Sequence, residues 1–155
     1  MIHPAVPVIG EPRLITLPSF PDQRGTLSVF EWAGMSPFEP KRFYYIYNST
    51  SGARRGLHAH FVEEELIVAL AGHFTVWLDD GSKRTEHRLD RPDRALYVPA
   101  LIWHELADFS ANAVCAVFAS TECNNNEDYC RDYQEFLKAR SEKLPLGGSP
   151  ARPVR

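Results

Sequence analysis

Two histidines set two residues apart, His58 and His60, lie in the segment GARRGLHAHFVEEELIVALAG, residues 52–72. An extended chain sends alternate side chains to opposite faces, so a strand here presents both imidazoles on one side. That side is expected to face an interior, because Leu57 and Phe61 occupy the other parity and read as packing residues. Imidazole titrates near working pH, so such a pair is either an acid/base couple or half of a metal site. Glu65 follows closely, while Glu63 and Glu64 read as solvated or turn acids. A third imidazole, His104 in PALIWH, could join them. Three histidines and one carboxylate suit Zn, Mn, Fe or Ni, so a divalent transition metal on His58, His60, Glu65 and His104 is an open alternative. The bland alternative for an isolated His-x-His pair is two satisfied core or surface rings.

The chain that must position these groups has 155 residues, 44% hydrophobic and 24% charged, which fits one globular domain with a true core. Seventeen Lys and Arg against twenty Asp and Glu leave a formal charge of −3, which argues against nucleic acid as a partner. No apolar run approaches the roughly 20 residues that cross a bilayer, so no membrane partner is expected. The opening MIHPAVPVIGEPR lacks the basic and apolar regions of a signal peptide, and a cytoplasmic setting is expected. Cys115, Cys123 and Cys130 form no C-x-x-C pair and read as reduced thiols.

Strand signals dominate. RLITL, TLSVFEW, RFYYIYN, GLHAHF, ELIVALAG, HFTVWLDD, EHRLD, ALYVPA and AVCAVFAS are separated by the breakers PDQRG, SPFEP, NSTSG, DDGS, DRPDR and PALIW. Short strands at such spacing indicate an antiparallel sandwich or barrel. Asp80-Gly81 suits a hairpin turn between two of them. A single helix is expected over residues 127–143, with Tyr129, Tyr133, Phe136 and Leu137 as its apolar stripe. The expected organisation is one domain over residues 1–143 and a Pro- and Gly-rich tail over 144–155.

Gly52, His58, His60, Glu65 and Gly72 match every fixed position of the first cupin motif, G-x5-H-x-H-x4-E-x6-G. The second cupin motif is partial: Pro99 and His104 fit, Leu101 replaces its glycine and Asp108 its asparagine. The expected fold is therefore all-β, a cupin-type jelly-roll barrel (double-stranded β-helix) with one C-terminal α-helix. A longer likeness covers roughly residues 10–140. RGTL (24–27), KRFYYIYN (41–48), RGLHAH (55–60), LDDG (78–81), LYVPALIWHELADFS (96–110) and DYCRDYQEF (128–136) resemble, in order, the sugar 3,4-ketoisomerases.

The resemblance implies migration of a carbonyl from C4 to C3 of a dTDP-4-keto-6-deoxyhexose through an enediol, with no cofactor. It makes His60 the base that shuttles the proton and His58 its neighbour at the sugar. A tyrosine of RFYYIY would polarise the oxygen; Tyr44 is taken over Tyr45 and Tyr47 because it shares a strand face with Arg42. Arg42, Arg55 and Arg24 are candidates for pyrophosphate, since a guanidinium fork matches phosphate oxygens. Trp103 could stack on a ring, and Glu65 and His104 would contact substrate. Phe61 and Glu65 stand where that family usually has lysine and glutamine. The resemblance implies a homodimer, with the N-terminal strand and the striped helix as candidate interfaces. It also implies a place in deoxyamino-sugar synthesis, with a pyridoxal-phosphate aminotransferase downstream. A sugar-binding module without turnover and a 3,5-epimerase are the remaining alternatives.

Overall fold

The computed structural model describes residues 10–122 and 126–144. Twelve strands form two five-stranded sheets and a hairpin. The first sheet holds β1 (Arg13–Thr16), β9 (Arg94–Val98), β6 (Glu65–Ala71), β11 (Val114–Ala119) and β4 (Arg42–Ile46), in that order. The second runs β12 (Tyr129–Cys130), β5 (Arg55–His60), β10 (Trp103–Ala107), β7 (Phe74–Asp79) and β8 (Arg84–Leu89). The hairpin pairs β2 (Ser19–Asp22) with β3 (Gly25–Ser28). Every pairing is antiparallel, as the strand-rich sequence led us to expect.

The sheets face each other across an apolar core that takes Ile67, Leu96 and Val117 from one and Phe74, Val76 and Leu78 from the other. The run ELIVALA does not alternate in polarity because β6 is covered on both faces. Leu66 and Val68 point outward and meet Phe30, Met35 and Phe38 of the segment that wraps the first sheet. Part of that segment, Trp32–Met35, is a helical turn broken at Ala33 and Gly34.

Three local expectations change. The C-terminal helix spans Tyr133–Lys143, not 127–143. Asp132 caps it, accepting from the Glu135 amide at 2.8 Å. The preceding residues form a 3₁₀ turn (Asn126–Asp128) and the short strand β12, because Tyr129 and Cys130 pair with His60 and Ala59 of β5. Second, PALIW does not simply break the chain. Leu101, standing where the second cupin motif has glycine, adopts φ +57° to make the turn, and β10 begins at Trp103. Third, Leu57 is 44% exposed and packs against nothing central.

The helix buries Phe136 and packs with Leu137 over Trp103, Ala59 and Cys130, so its stripe is used within the chain. Cys115 and Cys130 are buried free thiols, while Cys123 and nearly all of the expected tail lie outside the described residues. No described helix is long and apolar enough to cross a membrane.

Candidate active site

The pivot of the site is β5. Gly56 and Leu57 both have positive φ (+78° and +60°), and pairing with β10 slips between His104 and Glu105. A side chain at position 56 would place its Cβ 2.7 Å from the His104 carbonyl oxygen, so only glycine fits. Leu57 is the extra residue of this bulge. Beyond it the strand resumes with His58 opposite His104 on β10 and His60 opposite Tyr129 on β12. Four rings from three neighbouring strands thus share one face. The ring centroids of His58 lie 4.8 Å from His60, 4.6 Å from His104 and 4.9 Å from Tyr129.

Hydrogen bonds fix which nitrogen faces which partner. His58 Nδ1 donates to the Gly56 carbonyl at 3.0 Å and His104 Nδ1 to that of Ile102 at 3.2 Å, leaving both Nε2 atoms inward. His60 Nδ1 donates to Asp128 Oδ2 at 3.1 Å, and its Nε2 lies 3.2 Å from His58 Nε2. Two imidazole nitrogens at that distance need one proton between them.

The electrostatics give that proton to His60. Burial pulls His60 down, but the Asp128 bond and the charges of Glu65 and Glu63 outweigh it, so its pKa is raised. Burial, with the charges of His104 and His60, lowers His58 to about 4. His104 falls to about 4 through burial and the charge of His60. Asp128 is itself lowered: burial opposes its charge, and the His60 bond and the amides of Val62 and Glu63 overcome it.

The rings open onto a cavity of about 600 Å³, with Ile67, Leu106 and Val117 of the core among its walls. That volume is ordinary for a small-molecule site. His58, His104, Glu65, Tyr44, Arg42 and Arg55 line it. His60, only 4% exposed, lies behind His58 and is not among the lining residues.

Comparison with known proteins places this arrangement. Residues 10–141 match the model of the FdtA family (WxcM-like, C-terminal). The chain belongs to the FdtA family. A TDP-4-oxo-6-deoxy-alpha-D-glucose-3,4-oxoisomerase of Aneurinibacillus thermoaerophilus is 40% identical over 128 residues, 83% of this chain and 91% of that one. A 3,4-ketoisomerase from Helicobacter canadensis superposes with a TM-score of 0.80 at 34% identity, covering 84% of this chain and 98% of that one. The sugar 3,4-ketoisomerase QdtA of Thermoanaerobacterium thermosaccharolyticum, solved in complex with TDP, gives 0.81 at 28% identity, covering 86% and 96%.

Within this FdtA-family framework the other sequence candidates separate. Tyr44 and Arg42 line the cavity, but so do Phe43, Tyr45 and Tyr47 of the opposite parity; what sets Tyr44 apart is its hydroxyl, which donates to Glu65 Oε1 at 2.9 Å. Burial, then the Glu65 charge, drives the Tyr44 pKa far up, so the phenol stays protonated. Arg42 is occupied. It grips Glu63 with two bonds of 3.0 Å and gives a third, of 2.9 Å, to the Thr121 carbonyl. Glu63 is therefore no solvated acid but a 3%-exposed carboxylate that also accepts from the Thr121 hydroxyl. Glu64 accepts from Tyr97. Arg55 lines the cavity and has no salt-bridge partner among the described residues.

Arg24 and Trp103 are not brought to the cavity. Arg24 sits in the β2–β3 turn, bound to Asp22 with its side chain 90% exposed. Trp103 has the opposite parity to His104 and packs on Tyr133 and Phe136 under the helix. Sequence reasoning missed Asp128 and Tyr129, having placed both in the helix. The available signal was the second aspartate, Asp132: a good N-cap there frees Asp128 for other work.

Proposed function

We infer that this chain is a nucleotide-sugar 3,4-ketoisomerase, moving the keto group between C4 and C3 of a dTDP-4-keto-6-deoxyhexose through an enediol. The observation that carries the reading is the Asp128–His60–His58 line, with Nε2 atoms 3.2 Å apart at the wall of a sugar-sized cavity. Its relatives named above support the substrate class.

His58 is the ring placed to meet the C3–H bond, since it lines the cavity while His60 supports it from behind. Abstraction requires a vacant Nε2 lone pair, so the proton bridging the two rings must first leave or move aside. The C3 proton then passes to the imidazole, and its electron pair enters the C3–C4 bond as O4 becomes an enediolate. The hydroxyl proton shifts from O3 to O4, the imidazole returns its proton to C4, and the carbonyl stands at C3. No electrons are exchanged with a cofactor. Arg55, which lines the cavity and has no salt-bridge partner among the described residues, is the guanidinium offered to the pyrophosphate.

A proton-NMR time course with dTDP-4-keto-6-deoxyglucose in heavy water tests this. Conversion with deuterium entering the product supports it; folded protein that binds the sugar without exchange makes the chain a binding module and overturns it.

A second reading keeps a specific observation in its favour. His58, His60 and His104 bring donor nitrogens within 4.8 Å of one another, and each Nδ1 is already held by an acceptor, as metal-ligating histidines usually are. With Glu65 they would hold a divalent transition metal, which would supply Lewis-acid polarisation of the carbonyl. The cofactor-free reading is preferred because the isomerisation moves only protons and an electron pair within the sugar, which positioned imidazoles can carry by acid/base chemistry. Elemental analysis of protein purified with added metal decides between them.

Homodimerisation is part of the proposal. β4 is a sheet edge on which Phe43, Tyr45 and Tyr47, at 49%, 57% and 58% exposure, border the cavity and form a strip suited to a second copy. Light scattering checks it. A cytoplasmic setting suits a nucleotide-sugar substrate and the buried free thiols. The 3-keto product is the carbonyl that an amine-transferring enzyme would consume.

A further inference from the structure

An enediolate oxygen needs a hydrogen-bond donor aimed at it, and a phenol carries one proton to give. Tyr44 has spent its own. Its hydroxyl donates to Glu65 Oε1 at 2.9 Å, the only hydrogen bond to that 3%-exposed carboxylate among the described residues, with His104 Nε2 3.5 Å from Oε2 and His60 Nε2 3.7 Å from Oε1. Diverting the Tyr44 proton to substrate would leave a buried carboxylate oxygen without its donor, which is costly.

Tyr129 is differently placed. It lines the same cavity, and its hydroxyl has no hydrogen-bond partner among the described residues. Its position is set by backbone pairing: β12 holds it directly opposite His60 on β5, with side chains on the same face. Its ring centroid is 4.7 Å from His60 and 4.9 Å from His58. The Arg131 guanidinium lies 4.6 Å from the ring centroid. Imidazoles and a guanidinium packed on one aromatic ring hold it in place at little further entropic cost.

We propose that Tyr129 is a catalytic residue of this site, donating its hydroxyl hydrogen bond to the sugar oxygen that becomes the enediolate, while Tyr44 serves to hold Glu65. The proposal rests on the ketoisomerase reading above. It requires no proton transfer from the phenol. The bond to O4 strengthens as charge develops on that oxygen and relaxes when C4 is reprotonated. The donor comes from a strand that exists only because the chain before the helix pairs with β5, so carbon chemistry and oxygen stabilisation are fixed to one another by a ladder of backbone hydrogen bonds.

Wild-type protein, Tyr129→Phe and Tyr44→Phe are to be compared for kcat and KM with dTDP-4-keto-6-deoxyglucose, alongside circular dichroism and thermal melting. Phenylalanine keeps the ring on the imidazoles and removes only the hydroxyl. The expected result is a Tyr129→Phe enzyme with native spectrum and melting, a KM near wild type and a kcat lower by about 100-fold. Tyr44→Phe is expected to lose less in kcat and more in melting temperature. A Tyr129→Phe kcat within about threefold of wild type would overturn the assignment while leaving the isomerase intact. A greater loss in Tyr44→Phe than in Tyr129→Phe would return the role to Tyr44. Wild-type protein that binds the sugar without converting it would instead reject the underlying reaction, and the role of Tyr129 with it.

Discussion

Strand β10 has two neighbours, and they differ in kind. On one side β7 pairs with it in unbroken register, Trp103 opposite Asp79 through Ala107 opposite Thr75. The inward residues there are Phe74, Val76 and Leu78, each at most 1% exposed. On the other side β5 pairs through a bulge at Gly56 and Leu57, and its inward residues are His58 and His60. The regular side gives close packing and contributes cohesion. The irregular side gives up packing and accepts two residues at positive φ, in return for two imidazoles held against a third. A single strand thus joins the part of the barrel that stabilises it to the part that reacts. Asp128 and Tyr129 come from β12 and the turn before it, which add to the β5 side only.

The sharpest attempt to break this contrast removes the imidazoles. His58→Gln and His60→Gln should each lower kcat by about 10²- to 10⁴-fold with native circular dichroism, as expected for loss of a general acid/base group. Near-normal activity in either variant would mean that the irregular side is structural too. On the regular side, Phe74→Ala should destabilise the fold by about 3–5 kcal/mol in denaturant titration, leaving kcat per folded molecule unchanged. Gly56→Ala tests the bulge itself. Its Cβ would meet the His104 carbonyl at 2.7 Å with φ at +78°, so a loss of about 1–3 kcal/mol is expected, together with reduced kcat because His58 leans on Gly56. A destabilised variant with wild-type kcat would separate the bulge from the positioning of His58.

The finest test is one of pH. His60 is held above the ordinary value of 6.5, since the Asp128 bond and nearby carboxylates outweigh burial. Catalysis needs the bridging proton gone, so kcat/KM should fall as pH drops through the raised His60 pKa. Asp128→Asn removes a charge that favours the imidazolium, lowers that pKa and should move the fall toward lower pH. An unmoved acid limb would take Asp128 out of the role of holding His60 charged.

Much of this architecture is legible in the order of residues, and the reasons are local. His58 and His60 share a face because an extended chain repeats every two residues, and the same period puts Arg42 and Tyr44 on one face of β4, although Phe43, Tyr45 and Tyr47 of the other parity also line the cavity. Gly52 and Gly72 sit where reversals require positive φ, +77° and +61°. At position 72 a Cβ would also fall 2.3 Å from Ser110 Oγ. The helix boundary was misread because Tyr129, Tyr133, Phe136 and Leu137 satisfy helical spacing whether or not Tyr129 finds a strand to pair with. β10 was missed because the turn before it uses Leu101, an apolar residue at a position of positive φ that ordinarily advertises itself with glycine.

The sequence alone determined the strand-rich class, the histidine pair on one face and the likeness to sugar ketoisomerases, since each depends on residues near one another or on motif order. It took the folded chain to show that Glu63 is a buried partner of Arg42, that Asp128 holds His60, and that His58 lines the cavity while His60 does not. The two pairings lie 21 and 68 positions apart in the chain. Periodicity fixes the direction in which a side chain leaves its own strand. The groups it then meets are set by how distant strands pair and by which charges must find one another once water is excluded.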